Sequence, residues 1–325
     1  MTPAGELLAE EIRRHGPIPF RRFMETALYH AVHGYYRRPR DPFGREGDFF
    51  TAEQLQPVFG LLMAARIRQL HREMGEPPAF TVVELGAGRR EMAAAFAEWP
   101  YVPVDLDAGK LPEKFQGVLF ANEFFDALPV ETAVYRGGAF REQGVGFRDG
   151  RFTWETCGAV REEVEDYLRR YFPPPEEDRW YEANLQALAW LERIAAALEA
   201  GYALTIDYGY TRREAVRFPA GTLMGYRRHT ARDNVLEEPG ERDITAHVNF
   251  TALQERGAAC GLRPRSFETL AKTLLAAGEA DQFASVLGDD PRRRLQLKTL
   301  LIGMGETFRV LLQRKGEGDK SDGEA

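Results

Sequence analysis

The segment from Phe80 to Met92, FTVVELGAGRREM, constrains this chain more than any other. Phe80, Val82, Val83 and Leu85 make an apolar run rich in β-branched residues, the pattern of a buried strand. The run stops at Gly86-Ala87-Gly88, and Arg89 to Glu98 has the composition of a helix. Strand, glycine turn and helix in succession predict an α/β unit. Gly86 and Gly88 carry no Cβ, so a ligand can lie against bare backbone beside the N–H groups that open the helix. A dinucleotide fingerprint would place a third glycine three residues after the second, where this chain has Glu91, and no phosphate-binding Lys-Ser/Thr pair follows. Glu84, at the end of the strand, would repel a pyrophosphate but suits a ligand carrying an ammonium group. The plainer alternative is an ordinary tight turn.

A second apolar strand, Gly117 to Asn122, runs into Glu123-Phe124-Phe125-Asp126, and a third, from Tyr202, ends at Asp207 before Tyr208-Gly209. In an open parallel sheet the carboxyl ends of neighbouring strands converge on one crevice, so Glu84, Asn122 and Glu123 are expected to face one ligand.

Several longer segments occur in order: GREGDFFTAEQLQPVFG, ANEFFDALPV, IDYGY, GTLMGYRRH, PGERDITAHVNF and MGETFRVL. Together they resemble the MidA family of S-adenosylmethionine-dependent methyltransferases, which includes a mitochondrial complex I assembly factor implicated in protein arginine methylation. The resemblance spans Gly16 to about Arg314. It implies a Rossmann-like class I methyltransferase fold: an α/β, mostly parallel sheet with an antiparallel edge strand, an N-terminal helical lid and an inserted α+β segment. It also implies S-adenosylmethionine as cofactor and a protein arginine as methyl acceptor, plausibly on a respiratory complex I subunit. Gly47, Asp48, Phe49 and Thr51 then become lid contacts to the cofactor, Thr51 having a helix cap as its alternative role.

The core departs from the usual pattern in two places. Asp105 and Asp107 stand about 20 residues past the glycine turn, where a ribose-binding carboxylate belongs. Only Ala108 to Gln116 separates them from the next strand, and a crossover needs at least about 10–12 residues. Either Asp105 ends the second strand and the following unit is deleted, or the second strand is itself missing and Asp105 or Asp107 lies near the adenine. Arg90 also stands where the family's turn continues with a further glycine.

The chain divides into a helical lid region (1–78), a first core part (79–135), an inserted substrate-side segment (136–178), a second core part (179–314) and a charged, glycine-rich tail (315–325) expected to be disordered. The inserted segment contains strand-like runs at Phe140 to Val145 and Arg151 to Thr156 and a helix from Val160 to Tyr171, and Thr307 to Leu312 is expected to be the antiparallel strand at the sheet edge. The aromatic cluster Tyr29 to Tyr36 lacks a carboxylate or cysteine to complete a metal set and reads as packing. Arginine methylation needs carboxylates to orient a planar, permanently charged guanidinium, and Glu123 and Asp126 fit that role. Asp126 could equally cap a helix at Phe124 to Leu128, and Glu123 could bind the cofactor. His247 resembles in placement the histidine-bearing loop that borders the substrate pocket of arginine methyltransferases; a buried structural histidine is the alternative.

With 325 residues, 44% of them hydrophobic, the chain can bury a sizeable core, and its net charge of -7 argues against a broad nucleic-acid footprint. Cys157 and Cys260 form neither a disulfide framework nor a zinc motif, so no metal is expected and a reducing cytoplasm fits. No N-terminal apolar leader is visible, no stretch approaches the roughly 20 apolar residues that span a bilayer, and a homodimer is compatible. The rival functions are a catalytically degenerate assembly scaffold and a small-molecule methyltransferase.

Overall fold

The computed structural model describes residues 1–38, 52–227 and 230–316. Gly47, Asp48, Phe49, Thr51 and most of the expected tail lie outside the described residues. The chain forms two compact units, one from Met1–Thr51, Phe125–Ala187 and Tyr210–Thr251, the other from Ala52–Phe124, Leu188–Gly209 and Ala252–Ala325.

The second of these carries the core sheet. Six of the sheet's seven strands are β1 (Phe80–Leu85), β2 (Tyr101–Val104), β3 (Phe115–Asn122), β4 (Leu198–Tyr210), β5 (Arg263–Thr269) and β6 (Phe308–Lys315), in the spatial order β5-β6-β4-β3-β1-β2. β1 pairs in parallel with both β2 and β3, and β3 with β4, whereas β6 runs antiparallel between β4 and β5. This is the mostly parallel, Rossmann-like arrangement expected, with one difference. The final strand, β6, is internal, and the edge belongs to β5, a segment that had no strand signal. β2 directly adjoins β1, so Asp105 follows the strand next to the glycine turn, and β2 is itself the other edge.

The core of this unit follows from helical spacing. In the helix Val58–Glu73, Val58, Phe59, Leu62, Met63, Ile67 and Leu70 recur three or four residues apart and are all buried. They pack in one cluster with Val82 of β1, Phe120 of β3, Leu204 of β4 and Val310 of β6. Each such side chain contributes roughly 1.5–3 kcal/mol through burial. Phe59→Ala, in the first turn of this helix, would cost about 3–5 kcal/mol.

Arg89 to Glu98 does not form the expected regular helix. It is a run of turns in which Arg90 N–H donates to Ala87 O (2.6 Å), Ala93 N–H to Arg90 O (3.0 Å) and Phe96 N–H to Met92 O (3.0 Å). Gly86, Gly88 and Arg90 all have positive φ (71°, 45° and 61°), which breaks a right-handed helix before it starts. No helix N-terminus therefore backs the turn.

The other unit holds a five-stranded antiparallel sheet built from Ile18–Pro19, Glu131–Arg136, Ala139–Arg148, Arg151–Ala159 and Trp180–Ala183. Glycine at positive φ makes its tight turns, as at Gly137-Gly138 between two of these strands. The N-terminal helices Pro3–His15 and Phe20–Tyr29 share its core, with Leu8, Phe20 and Phe23 against Val130 and Val145. The first helix is fixed by Thr2, whose Oγ1 accepts from Gly5 N–H at 3.0 Å, and ends at Gly16. The Tyr29 to Tyr36 cluster is aromatic packing, with Tyr29 stacked on Tyr36 at 5.5 Å. Among the described residues no group of His, Cys, Asp or Glu side chains could hold a metal ion, and no helix is long and apolar enough to cross a membrane.

Candidate active site

The alternating pleat of β1 carries Glu84 to the carboxyl end of the sheet on the same face as Val82, where the carboxylate is fully buried. Tyr101, paired with Val82 across β1 and β2, donates its hydroxyl hydrogen to Glu84 Oε2. Glu84 Oε1 is buried without a hydrogen-bond partner. Burial pushes this carboxyl up to about 7, opposed by hydrogen bonds from Tyr101 and Glu53. Glu53, from the short turn Ala52–Gln54, is also buried, and desolvation together with Glu84, Glu123 and Glu91 holds it well above the usual carboxylate range.

The turn is shaped by the neighbouring strand end. Gly86 N–H donates to Val104 O at 2.9 Å, and Gly88 N–H donates to the Asp105 carboxylate, whose other oxygen accepts from Leu106 N–H at 2.6 Å. Asp105 therefore closes the glycine turn, while Asp107 is exposed two residues further on. Gly86 cannot be replaced cheaply, because its φ of 71° disfavours any side chain and a Cβ would stand 3.2 Å from the Phe124 ring.

Asn122 ends β3 two residues beyond Phe120, the partner of Glu84 in the register, and so faces the same side. Its Nδ2 donates to Glu123 Oε1 at 3.3 Å, and its Oδ1 is buried without a partner. Glu123 adopts a left-handed φ of 51°, which lets its N–H reach Ile206 O at 2.9 Å while its carboxylate accepts from Ala52 N–H at 3.2 Å. Glu84, Gly86, Gly88, Asp105, Asn122 and Glu123 thus meet at the carboxyl ends of three adjacent strands.

Asp126 and His247 lie in the other unit. Asp126 O accepts from Ala246 N–H at 3.0 Å, which sets the two residues side by side, and no helix spans Phe124 to Leu128 for Asp126 to cap. His247 N–H donates to Thr222 Oγ1 at 3.0 Å, and its ring meets Phe218 edge-on. Burial lowers the imidazole to about 4, so it is neutral at ordinary pH. Tyr36 donates to Asp243 Oδ1 at 2.9 Å and is raised well above its ordinary value by burial, then by Asp243, Tyr29 and Asp126.

Sequence reasoning missed Glu53 and Tyr101. Glu53 sits in the TAEQLQPVFG segment that carried the resemblance, two residues past Thr51, and was accessible from it. Tyr101 reaches Glu84 only through strand pairing, for which a single sequence carries no sign.

An S-adenosylmethionine-type ligand suits these residues. The unmet acceptors Glu84 Oε1 and Asn122 Oδ1 call for donors such as an α-ammonium group. The absence of a helix N-terminus behind the turn suits a ligand without phosphate there. The fold and this acid-lined glycine turn define a Rossmann-like methyltransferase core. The chain belongs to the family described as "Putative S-adenosyl-L-methionine-dependent methyltransferase", whose model matches residues 97–268, and S-adenosylmethionine is its cofactor.

A crystal structure from Burkholderia thailandensis with S-adenosyl-homocysteine bound is 30% identical, covers 97% of this chain and 92% of its own, and superposes with a TM-score of 0.86. The mitochondrial protein arginine methyltransferase NDUFAF7 homolog of Drosophila melanogaster is 29% identical over 301 residues, 75% of this chain and 67% of the relative. Homo sapiens mitochondrial protein arginine methyltransferase NDUFAF7 is 26% identical over 345 residues, 84% of this chain and 74% of the relative. The MidA resemblance is borne out. The cytoplasmic expectation is corrected, since these relatives are named as mitochondrial. Cysteine usage separates reducing from oxidising surroundings and cannot tell one reducing compartment from another.

Proposed function

We propose that the methyl acceptor is a protein arginine and that the acids at the strand ends divide the work. The observation that carries the cofactor half is the pair of buried, unmet acceptors, Glu84 Oε1 and Asn122 Oδ1, behind a glycine turn in which a side chain at Gly86 would be strained. When bound, S-adenosylmethionine supplies a sulfonium-activated methyl group. Glu84 holds the cofactor's ammonium group, Asn122 accepts a second hydrogen bond from it, and Asp105 offers its remaining lone pairs to ribose hydroxyls.

Most of the acceleration comes from holding the acceptor nitrogen in line in a site that excludes water. Glu123 orients the guanidinium, and its carboxylate takes the proton that the nitrogen sheds on methylation, while Asp126, in the other unit, stays in the proposal on the sequence reading alone. His247, neutral and weakly basic, contributes hydrogen bonding rather than charge. The arginine acceptor is supported by the names of the relatives, and a respiratory-complex subunit, implied by the family resemblance, is the first substrate to try. Gly47, Asp48 and Thr51 stay in the proposal as lid contacts on the resemblance alone.

The test is methyl transfer from isotope-labelled S-adenosylmethionine into candidate subunits, with modified residues located by mass spectrometry. Label on arginine, lost in Glu123→Gln while cofactor binding persists, supports the assignment. Label on another residue type would replace the acceptor. Cofactor binding with no transfer in any wild-type reaction would favour the scaffold. Gly86→Val should weaken cofactor binding at least 100-fold, because the substitution both strains the turn and fills it.

A further inference from the structure

The carboxyl groups at the cofactor end of the core carry more negative charge than their burial can sustain. Glu84 and Glu53 are both more than nine-tenths buried. Glu84 is faced by Glu53, Glu91 and Asp105 and is hydrogen-bonded by the Tyr101 hydroxyl and by the Glu53 carboxyl. Glu53 is faced by Glu84, Glu123 and Glu91. Among the described residues, the positive groups here are Arg90, which acts on Tyr101, and Arg89, paired with Glu91 at 3.1 Å. Two buried carboxylates side by side cannot both be ionised without a cation between them, so at least one proton must reside on the pair. The orphaned Glu84 Oε1 and, independently, the orphaned Asn122 Oδ1 mark where a donor is missing.

We propose that Glu53 is a positioning residue that keeps its proton, and that Glu84 alone exchanges its own proton for the cofactor's ammonium group. The proposal rests on the cofactor reading given above. The exchange balances: the Glu84 carboxylic acid loses its proton to solvent, the carboxylate pairs with the ammonium, and no covalent bond changes. Glu53 stays neutral, so the ammonium meets one negative charge instead of two, and its acid proton remains a donor toward the Glu84 carboxylate. Cofactor binding is then linked to proton release. Only the ionised fraction of Glu84 is competent, so apparent affinity rises about fivefold between pH 6 and pH 7, before the cofactor's own α-ammonium group, ordinarily about 7.7–8.0, begins to lose its proton.

Calorimetric titration of the full chain with S-adenosylmethionine, S-adenosylhomocysteine and methylthioadenosine tests this, each in two buffers of different ionisation enthalpy at pH 6, 7 and 8. The first two should release about 0.9 proton at pH 6 and about 0.5 at pH 7, and release should vanish or reverse at pH 8 as the free ligand's amine takes up a proton on binding. Methylthioadenosine lacks the ammonium group and should release none. Glu53→Gln, which mimics the protonated acid, should keep the wild-type profile. Glu53→Ala should weaken binding several-fold and move the inflection to higher pH, and Glu84→Gln should abolish the release. Binding with a flat pH profile and no proton release overturns the exchange while leaving the cofactor site standing. A Glu53→Ala profile identical to wild type removes Glu53 from it. Absence of binding by any of the three compounds overturns the cofactor reading and this proposal together.

Discussion

Glu84 and Glu182 are both buried glutamates, one in each unit, and burial pushes both up to about 7. Their surroundings differ. Glu182, on the strand Trp180–Ala183, accepts from Thr222 N–H at 2.9 Å and from Thr222 Oγ1 at 3.3 Å, one bond to each carboxylate oxygen, with Arg179 also acting to lower it. Glu84 is bonded by the Tyr101 hydroxyl and by Glu53, itself an acid, keeps an oxygen that no basic or neutral donor meets and is faced by other acids. A raised carboxyl value alone therefore does not mark a functional site. What separates a structural acid from one that awaits a ligand is whether its hydrogen-bonding capacity is filled from within the fold.

The comparison can be broken where the two should agree. Each carboxyl binds its proton more tightly in the folded chain than in the unfolded one, so its stabilising contribution is complete below pH ~4.5 and is lost as pH rises through about 7. Each should account for about 3 kcal/mol of stability lost between pH 5 and pH 8. Urea unfolding at the two pH values measures this, and Glu84→Gln and Glu182→Gln should each flatten the difference by a similar amount. Wild-type stability unchanged between the two would end the parallel.

It is sharpened where they should differ. Glu84→Gln removes a charge-assisted bond to the cofactor and should weaken S-adenosylmethionine about 10- to 100-fold by calorimetry. Glu182→Gln should leave the affinity within about twofold, and an equal loss in both variants would contradict the distinction. The smallest effect concerns the backbone beside Glu84. Arg90 is held at a φ of 61°, so Arg90→Gly should stabilise the fold by about 0.5–1 kcal/mol, read as a rise in Tm of the cofactor-free protein. A fall in Tm would mean that the Arg90 side chain matters more than its backbone strain.

Much of the site was legible because apolar runs stop at the sheet's carboxyl end. Those runs placed Glu84, Asn122 and Glu123 on neighbouring strands, and Gly86 and Gly88 marked the turn. Asp105 was left between two alignments, and strand pairing now puts it at the end of the strand beside β1. Other features had no local signal. β5 reads RPRSFET, charged and only half-buried, so it shows no clear apolar alternation. The segment after Gly88 has buried Met92 and Phe96 at helical spacing, yet three positive φ angles within five residues impose turns. Tyr101 meets Glu84 through pairing of strands distant in sequence, and the partition of Glu123 and Asp126 between two compact units is a tertiary outcome that two intervening positions conceal.

The shortened passage after Asp105 has a consequence for self-association. It leaves β2 as an outer strand, and an outer strand with bare amides and carbonyls is a template on which other chains can add. This one is four residues long and includes Pro103, which has no amide hydrogen to offer. Beyond it the chain turns back through Asp105 and Ala108, and Gly109 lies so close to the Pro103 carbonyl that a Cβ there would collide with it. A core that stops one strand early therefore ends in a border too short and too poor in donors to nucleate cross-β growth.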